Sequence, residues 1–175
     1  MNRFFETVLV RAPADSYVEC VSTNPAKTTI NLDLAKEQHR QYVSTLKDSR
    51  LNVIELSPLE NFPDSVFMQD PGILGSRQSV LGRFGETTRR GEVKALLEDL
   101  DDLRVDVGTM HSIGGSGTLE GGDVVITEQA LFVGESQRTN ENGVKQLSAC
   151  LDHLHVKTVK TRLRGSTQPY SRSFC

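Results

Sequence analysis

Short apolar runs bounded by loop residues alternate with helical stretches that carry one apolar stripe. Thr7-Val8-Leu9-Val10 predicts a buried strand, and a polar loop with Pro13 and Pro25 follows it. From Asn31 to Leu46 the pattern predicts a helix, capped by Asn31, with Leu34, Tyr42 and Leu46 near one stripe. Val53-Ile54-Glu55-Leu56 predicts a strand, as does Val66 to Met68, and Pro71-Gly72 interrupts regular pairing after it. Ile73-Leu74 and Ser79-Val80-Leu81 read as the arms of a hairpin joined through Gly75-Ser76-Arg77-Gln78. The order then begins again. Arg89 to Leu100 predicts a helix with Val93, Leu96, Leu97 and Leu100 on one side, and Leu103-Arg104-Val105 a strand. After a glycine-rich loop from Ser112 to Gly117, Val124-Val125-Ile126 and Leu131-Phe132-Val133 predict a second hairpin. A helix from about Asn140 to Leu151 and a strand Val156-Lys157-Thr158-Val159 open a third unit. The chain is therefore expected to be an α/β protein of repeated helix, strand, carboxylate-bearing loop and hairpin, stacked or arranged radially.

Composition changes this picture little. The 175 residues are 37% hydrophobic and 25% charged, without Trp. A chain of this length suits one ordinary domain that buries roughly 70% of its unfolded surface. A net charge of −3 without a Lys/Arg-rich run argues against a nucleic-acid partner. No apolar run approaches the ~20 residues of a membrane span, and the first residues lack a signal peptide's apolar core. A soluble, cytoplasmic protein is the expectation. Cys20, Cys150 and Cys175 show no metal-ligand spacing, and Cys150 falls in a helical pattern as a small hydrophobe.

Two segments concentrate the chemistry: Phe62-Pro63-Asp64-Ser65-Val66-Phe67-Met68-Gln69-Asp70-Pro71 and Thr118-Leu119-Glu120-Gly121-Gly122-Asp123. Each places carboxylates beside residues that break regular structure, next to an apolar run, where charge has no use in a core. A guanidinium needs two or more carboxylate or amide acceptors around an apolar wall, and Asp70, Gln69 and Phe67 have that chemistry. On strand alternation, Asp64, Val66 and Met68 point one way and Phe67 and Gln69 the other. Glu120, before two glycines, is placed to orient an imidazole. Arg89-Arg90 and Arg138 supply the complement, cations suited to bidentate capture of a carboxylate. Each has a plainer reading: a turn or cap role for Asp64, a surface ion pair for Asp70, solvated acids at a hairpin entry, and solvated surface arginines. The segment Gly114-Gly115-Ser116-Gly117 has neither the Lys-Ser/Thr end nor the following helix of a phosphate loop.

Together these stretches resemble the dimethylarginine dimethylaminohydrolase branch of the guanidino-modifying enzymes, a superfamily that includes the arginine deiminases. The resemblance is carried by 35–43, Phe62 through Asp70, Thr88-Arg89-Arg90-Gly91-Glu92-Val93, Leu119 through Val124, Phe132-Val133-Gly134 and Arg138-Thr139-Asn140, in family order over nearly all of residues 5–160. It implies a five-bladed α/β propeller (the pentein fold), of which about three ββαβ-type units are present. It implies that Asp64 binds a substrate amino group and Asp70 the guanidinium, with Gln69 beside it and Phe67 as a wall. Arg89 and Arg138 would hold the α-carboxylate, and Glu120 would orient the catalytic histidine. The implied reaction is covalent: a cysteine thiolate attacks the guanidino carbon, dimethylamine leaves, and water releases citrulline, with no metal or cofactor. Gln69 departs from the Glu of many members and leaves open whether methylated or free arginine is preferred.

The end of the chain departs further. The resemblance expects a His-Leu segment soon after the third-unit strand and a nucleophilic cysteine some eighty residues beyond. Here the chain continues Gln168-Pro169-Tyr170-Ser171-Arg172-Ser173-Phe174-Cys175. The expectation is a single domain cut short on its C-terminal side, with 168–175 an out-of-frame tail and His153 and His155 as surface residues. Cys175 sits in the wrong part of the fold for a nucleophile. Such a chain is expected to be inactive alone; the other readings are a guanidino-binding protein without catalysis, a homo-oligomer formed through open sheet edges, or an arginine deiminase-like enzyme.

Overall fold

The computed structural model describes residues 6–22, 24–127, 130–151 and 155–160. They fall into two compact units, one reaching to Met68 and the other starting at Gln69. The expected tail 168–175, with Cys175, and His153 lie outside the described residues, as does the side chain of His155.

The first unit contains β1 (Thr7–Arg11), α1 (Leu32–Asp48) and β2 (Asn52–Leu56). The helix carries the chain across so that β1 and β2 pair in parallel, from Thr7 opposite Asn52 to Arg11 opposite Leu56. Helix α1 starts where expected, because the Asn31 side chain accepts the Leu34 N–H at 3.0 Å. Of its expected stripe only Leu46 packs. Leu34 and Tyr42 are 53% and 54% exposed, whereas Val43 is buried and Leu46 half-buried. Ala35 and Val43 share the eight-residue spacing of Leu34 and Tyr42 but lie about 100° further round the helix. The pattern allows either stripe, and the packing against the rest of the unit selects the one with the smaller side chains.

The strand expected over Val66–Met68 is absent. Ser65, Phe67 and Met68 instead donate their N–H groups to Phe62 O, Asp64 O and Val66 O at 2.9–3.0 Å, which winds this segment into consecutive turns. Pro63 favours turn entry, and three apolar residues without a partner strand cannot hold an extended ladder. The alternating-face reading of Asp64, Phe67 and Gln69 fails with it.

The second unit repeats one module twice. In the first copy β3 (Gly72–Ile73) and β4 (Gln78–Leu81) form an antiparallel hairpin, α2 (Gly91–Asp102) crosses over, and β5 (Thr109–Ser112) pairs parallel to β4. In the second copy β6 (Val124–Ile126), β7 (Ala130–Glu135), α3 (Glu141–Cys150) and β8 (His155–Lys160) do the same. The repeat is therefore hairpin, helix, strand: each strand after a helix returns to the preceding hairpin. The acidic loop from 113 to 123 joins one module to the next.

The strand expected at Leu103–Val105 is also displaced. Helix α2 closes with Leu103 and Arg104 donating to Asp99 O and Asp101 O at 3.0 Å, and Arg104 adopts a left-handed φ of 52°. The strand starts six residues later than expected, at Thr109. One apolar cluster unites the two modules: Ile73 and Val80 from the first hairpin, Ile113 and Leu119 from the acidic loop, Leu131 and Val133 from β7, Val144 and Leu147 from α3, and Leu151. Cys150 packs against it as a small apolar group, and burial pushes its thiol up from the ordinary range.

Candidate functional site

In the second unit the acidic loops meet through main chain before any side chain is considered. The Gly121 N–H donates to Asp70 O at 2.9 Å, which ties the residue after Glu120 to Asp70 itself. A Cβ at position 121 would lie 2.1 Å from Gln69 O and 2.7 Å from Gly72 O, so only glycine permits this approach. Gly82 N donates to Pro71 O at 2.7 Å, and Arg83 and Leu119 exchange backbone hydrogen bonds at 3.0 Å. The glycine beside Glu120 thus has the close-approach role its position suggests.

Asp70 and Glu120 are fully buried, and Arg89 and Glu92 are each only 3% exposed. Arg89 donates Nε and Nη2 to the two carboxylate oxygens of Glu92, both at 2.8 Å, and Nη1 to Asp70 Oδ2 at 3.0 Å. Its guanidinium lies 4.4 Å from the centre of the Phe84 ring. The Glu120 Oε2 atom is 3.9 Å from Arg89 Nη1 and accepts from Arg138 Nη1 at 3.0 Å. Arg138, 24% exposed, is the member of this cluster open to solvent. Burial pushes the Glu120 carboxyl above the usual glutamate range; Asp70 adds to this, while the Arg138 hydrogen bond and the Arg89 charge oppose it.

The structure therefore brings together Asp70, Arg89, Glu120 and Arg138 of the residues expected from the sequence. Gln69 neighbours Asp70 along the chain and is exposed. Asp64 and Phe67 belong to the first unit. There Asp64 Oδ2 accepts the Val21 N–H at 2.8 Å, and the Phe67 ring stands 6.5 Å from that of Tyr17. Arg90 donates Nε to Phe84 O at 3.1 Å and stands apart from the acids.

Sequence reasoning missed Glu92. The signal was its position three residues after Arg89, the spacing of a helical ion pair. It also missed Thr139, a buried hydroxyl whose Oγ1 accepts the Glu120 N–H at 3.1 Å. Among the described residues no group of three or more His, Cys, Asp or Glu is placed to hold a metal ion. No helix among them is long and apolar enough to cross a membrane. Chemically the cluster sets three carboxylates against two guanidiniums in a dry setting. One acid-base pair, Glu120 with Arg138, is partly open to solvent, through its arginine.

Known proteins share this arrangement of segments. The family model described as "N,N dimethylarginine dimethylhydrolase, eukaryotic" matches residues 11–169. An uncharacterised protein of Aeropyrum pernix is 37% identical over 92% of this chain and 60% of its own length. The N(G),N(G)-dimethylarginine dimethylaminohydrolase of Pseudomonas aeruginosa is 35% identical over 85% of this chain and 57% of its own. A crystal structure of the Pseudomonas aeruginosa enzyme, a cysteine-to-serine mutant in complex with citrulline, superposes with a TM-score of 0.84 at 32% identity. It covers 90% of this chain and 62% of that one. The chain spans about 60% of the length of these relatives. With the match of the family model over residues 11–169, the chain belongs to the dimethylarginine dimethylaminohydrolase family.

Proposed function

We propose that this chain carries the substrate-gripping part of a hydrolase that acts on the guanidino carbon of N-methylated arginine. In this reading Asp70 faces the substrate guanidinium and Glu120 orients the imidazole that serves as base. Arg138, open to solvent, takes the α-carboxylate. Arg89 supports Asp70 through its own clamp by Glu92, so its contribution to carboxylate binding is a charge held behind the site. Asp64 and Phe67 keep the roles the resemblance implies, an anion for the amino group and an apolar wall, and Gln69 adds a neutral acceptor beside Asp70. The reaction would proceed by thiolate attack on the guanidino carbon, loss of dimethylamine and hydrolysis to citrulline. The thiolate and the imidazole are assigned to no described residue. The hairpin-helix-strand modules would be blades of a five-bladed propeller.

The observation that carries this reading is the backbone stitch from Gly121 to Asp70. It holds two buried carboxylates at one place beside an arginine open to solvent. A fixed pair of acids with an exchangeable cation suits a ligand that is cationic at one end and anionic at the other. Calorimetric titration of the 175-residue protein with dimethylarginine, arginine and citrulline tests it. Saturable binding, weakened about 10- to 100-fold in Asp70→Asn or Arg138→Ala, is the expected result, since a charged hydrogen bond carries about 1.5–3 kcal/mol. No heat of binding from any of the three would overturn the proposal. Arginine bound as tightly as its dimethyl form would favour an arginine deiminase-like preference, which the neutral Gln69 side chain leaves open. The same protein is expected to release no citrulline from dimethylarginine above the uncatalysed rate, since this reading assigns the thiolate and the imidazole to no described residue; measurable turnover would sink that part.

A further inference from the structure

The main chain on both sides of the Glu120–Arg138 pair is held by hydroxyl groups that a single carboxylate orients. Asp123 Oδ2 accepts the hydroxyl of Thr139 and that of Ser136, each at 2.7 Å. A carboxylate is acceptor-only and each hydroxyl has one proton, so both hydroxyl protons are committed to Asp123. The Thr139 oxygen is then left with a lone pair for the Glu120 N–H, 3.1 Å away. The Ser136 oxygen likewise accepts the N–H groups of Arg138 and Thr139 at 2.9 and 3.1 Å. The turn closes with Ser136 N donating to Thr139 O at 2.9 Å. Thr139 is fully buried, so no water can substitute for its hydroxyl without opening the loop.

We propose that Thr139, with Asp123 and Ser136, is a positioning residue that sets the Glu120 carboxylate and the Arg138 guanidinium in contact for the ligand. Asp123 polarises the two hydroxyls, Ser136 holds the backbone of Arg138, and Thr139 holds the backbone of Glu120. The two halves of the ion pair come from different loops, 113–123 and 136–140, and this network joins those loops directly at the pair. Its bearing on ligand binding rests on the function proposed above; its bearing on the ion pair does not.

The test uses the 175-residue protein and its Thr139→Val, Thr139→Ser and Asp123→Ala variants. The Glu120 carboxyl is followed through a pH titration by NMR, and dimethylarginine affinity by calorimetry. In the folded protein Arg138, Arg89 and Asp70 are among the charged groups that act on Glu120. Loosening the Arg138 contact removes its stabilisation of the carboxylate, so Thr139→Val and Asp123→Ala are expected to raise the Glu120 midpoint further. Thr139→Ser, which keeps the hydroxyl, is expected to titrate as the original. Glu37, held low by Arg40 on α1 of the first unit, serves as control and should not move. Dimethylarginine binding should weaken roughly tenfold in the two disruptive variants and recover in Thr139→Ser. A Glu120 midpoint unchanged in both disruptive variants overturns the positioning role. So does a loss of stability that leaves both readouts intact. If Thr139→Val does not fold, Asp123→Ala decides, because Asp123 is only half-buried. If the original protein binds no dimethylarginine, the functional reading fails and the titration alone decides the positioning role.

Discussion

At the scale of the residue, Glu92 and Glu120 show two ways to keep an acid buried. Glu92 is satisfied at both oxygens by one guanidinium. Removing one partner of a buried pair strands the other charge, which costs about 3–5 kcal/mol. Glu92→Ala is thus expected to destabilise the protein by about that much in urea unfolding, and to weaken ligand binding through Asp70. Glu120 is the opposite case, an acid whose burial favours the protonated form. Its folded value lies above its unfolded one, so its contribution to stability is complete below the ordinary glutamate range. That contribution is lost as pH rises through the raised folded value. Glu120→Gln should therefore gain stability relative to the original as pH climbs through that window; parallel urea midpoints for the two proteins across the window would refute it. Both acids lie near loops, but only Glu120 stands out in sequence, beside two glycines. Glu92 carries no such mark, because its burial depends on where Arg89 points.

At the scale of the element, the boundaries that sequence reading located correctly have a local cause. Asn31 and Asn140 both cap helices by accepting an amide N–H three residues on, at 3.0 and 2.8 Å. The strand expected at Leu103–Val105 fails for a reason that is not local. The left-handed residue Arg104 closes α2, and pairing to β4 selects Thr109–Ser112 as the strand. The same contrast makes Gly143 informative. Replacing a helical glycine by alanine ordinarily stabilises by about 0.5–1 kcal/mol. In α3 a Cβ at 143 would lie 2.0 Å from Thr118 O. Gly143→Ala should accordingly reverse the usual sign and lower the melting temperature, because α3 must back away from the acidic loop. A rise in melting temperature would show that the loop yields at no cost.

At the scale of the whole molecule, the α/β character and the repetition were legible, and the phase of the repeat was not. Alternating helix and strand patterns reveal that a unit recurs, yet they do not say whether a strand belongs to the hairpin before or after it. The register settles this, with β4 beside β5 and β7 beside β8. Because one apolar cluster draws on both modules of the second unit, they are expected to unfold together. Leu131→Ala, at a fully buried position, should cost about 2–5 kcal/mol. It should also lower hydrogen-exchange protection in β4 and β7 by the same amount; protection lost in β7 alone would indicate that the modules melt independently.

The bond from Gly121 to Asp70 belongs to the polypeptide scaffold and survives any change of side chain at 70 or 120. The gauge between the two anionic positions is therefore inherited intact by every variant at those sites. On the function proposed above, a descendant adapting to a bulkier or slimmer guanidinium has to do so by the length of the acid it places at 70, aspartate or glutamate, while the track beneath keeps its width.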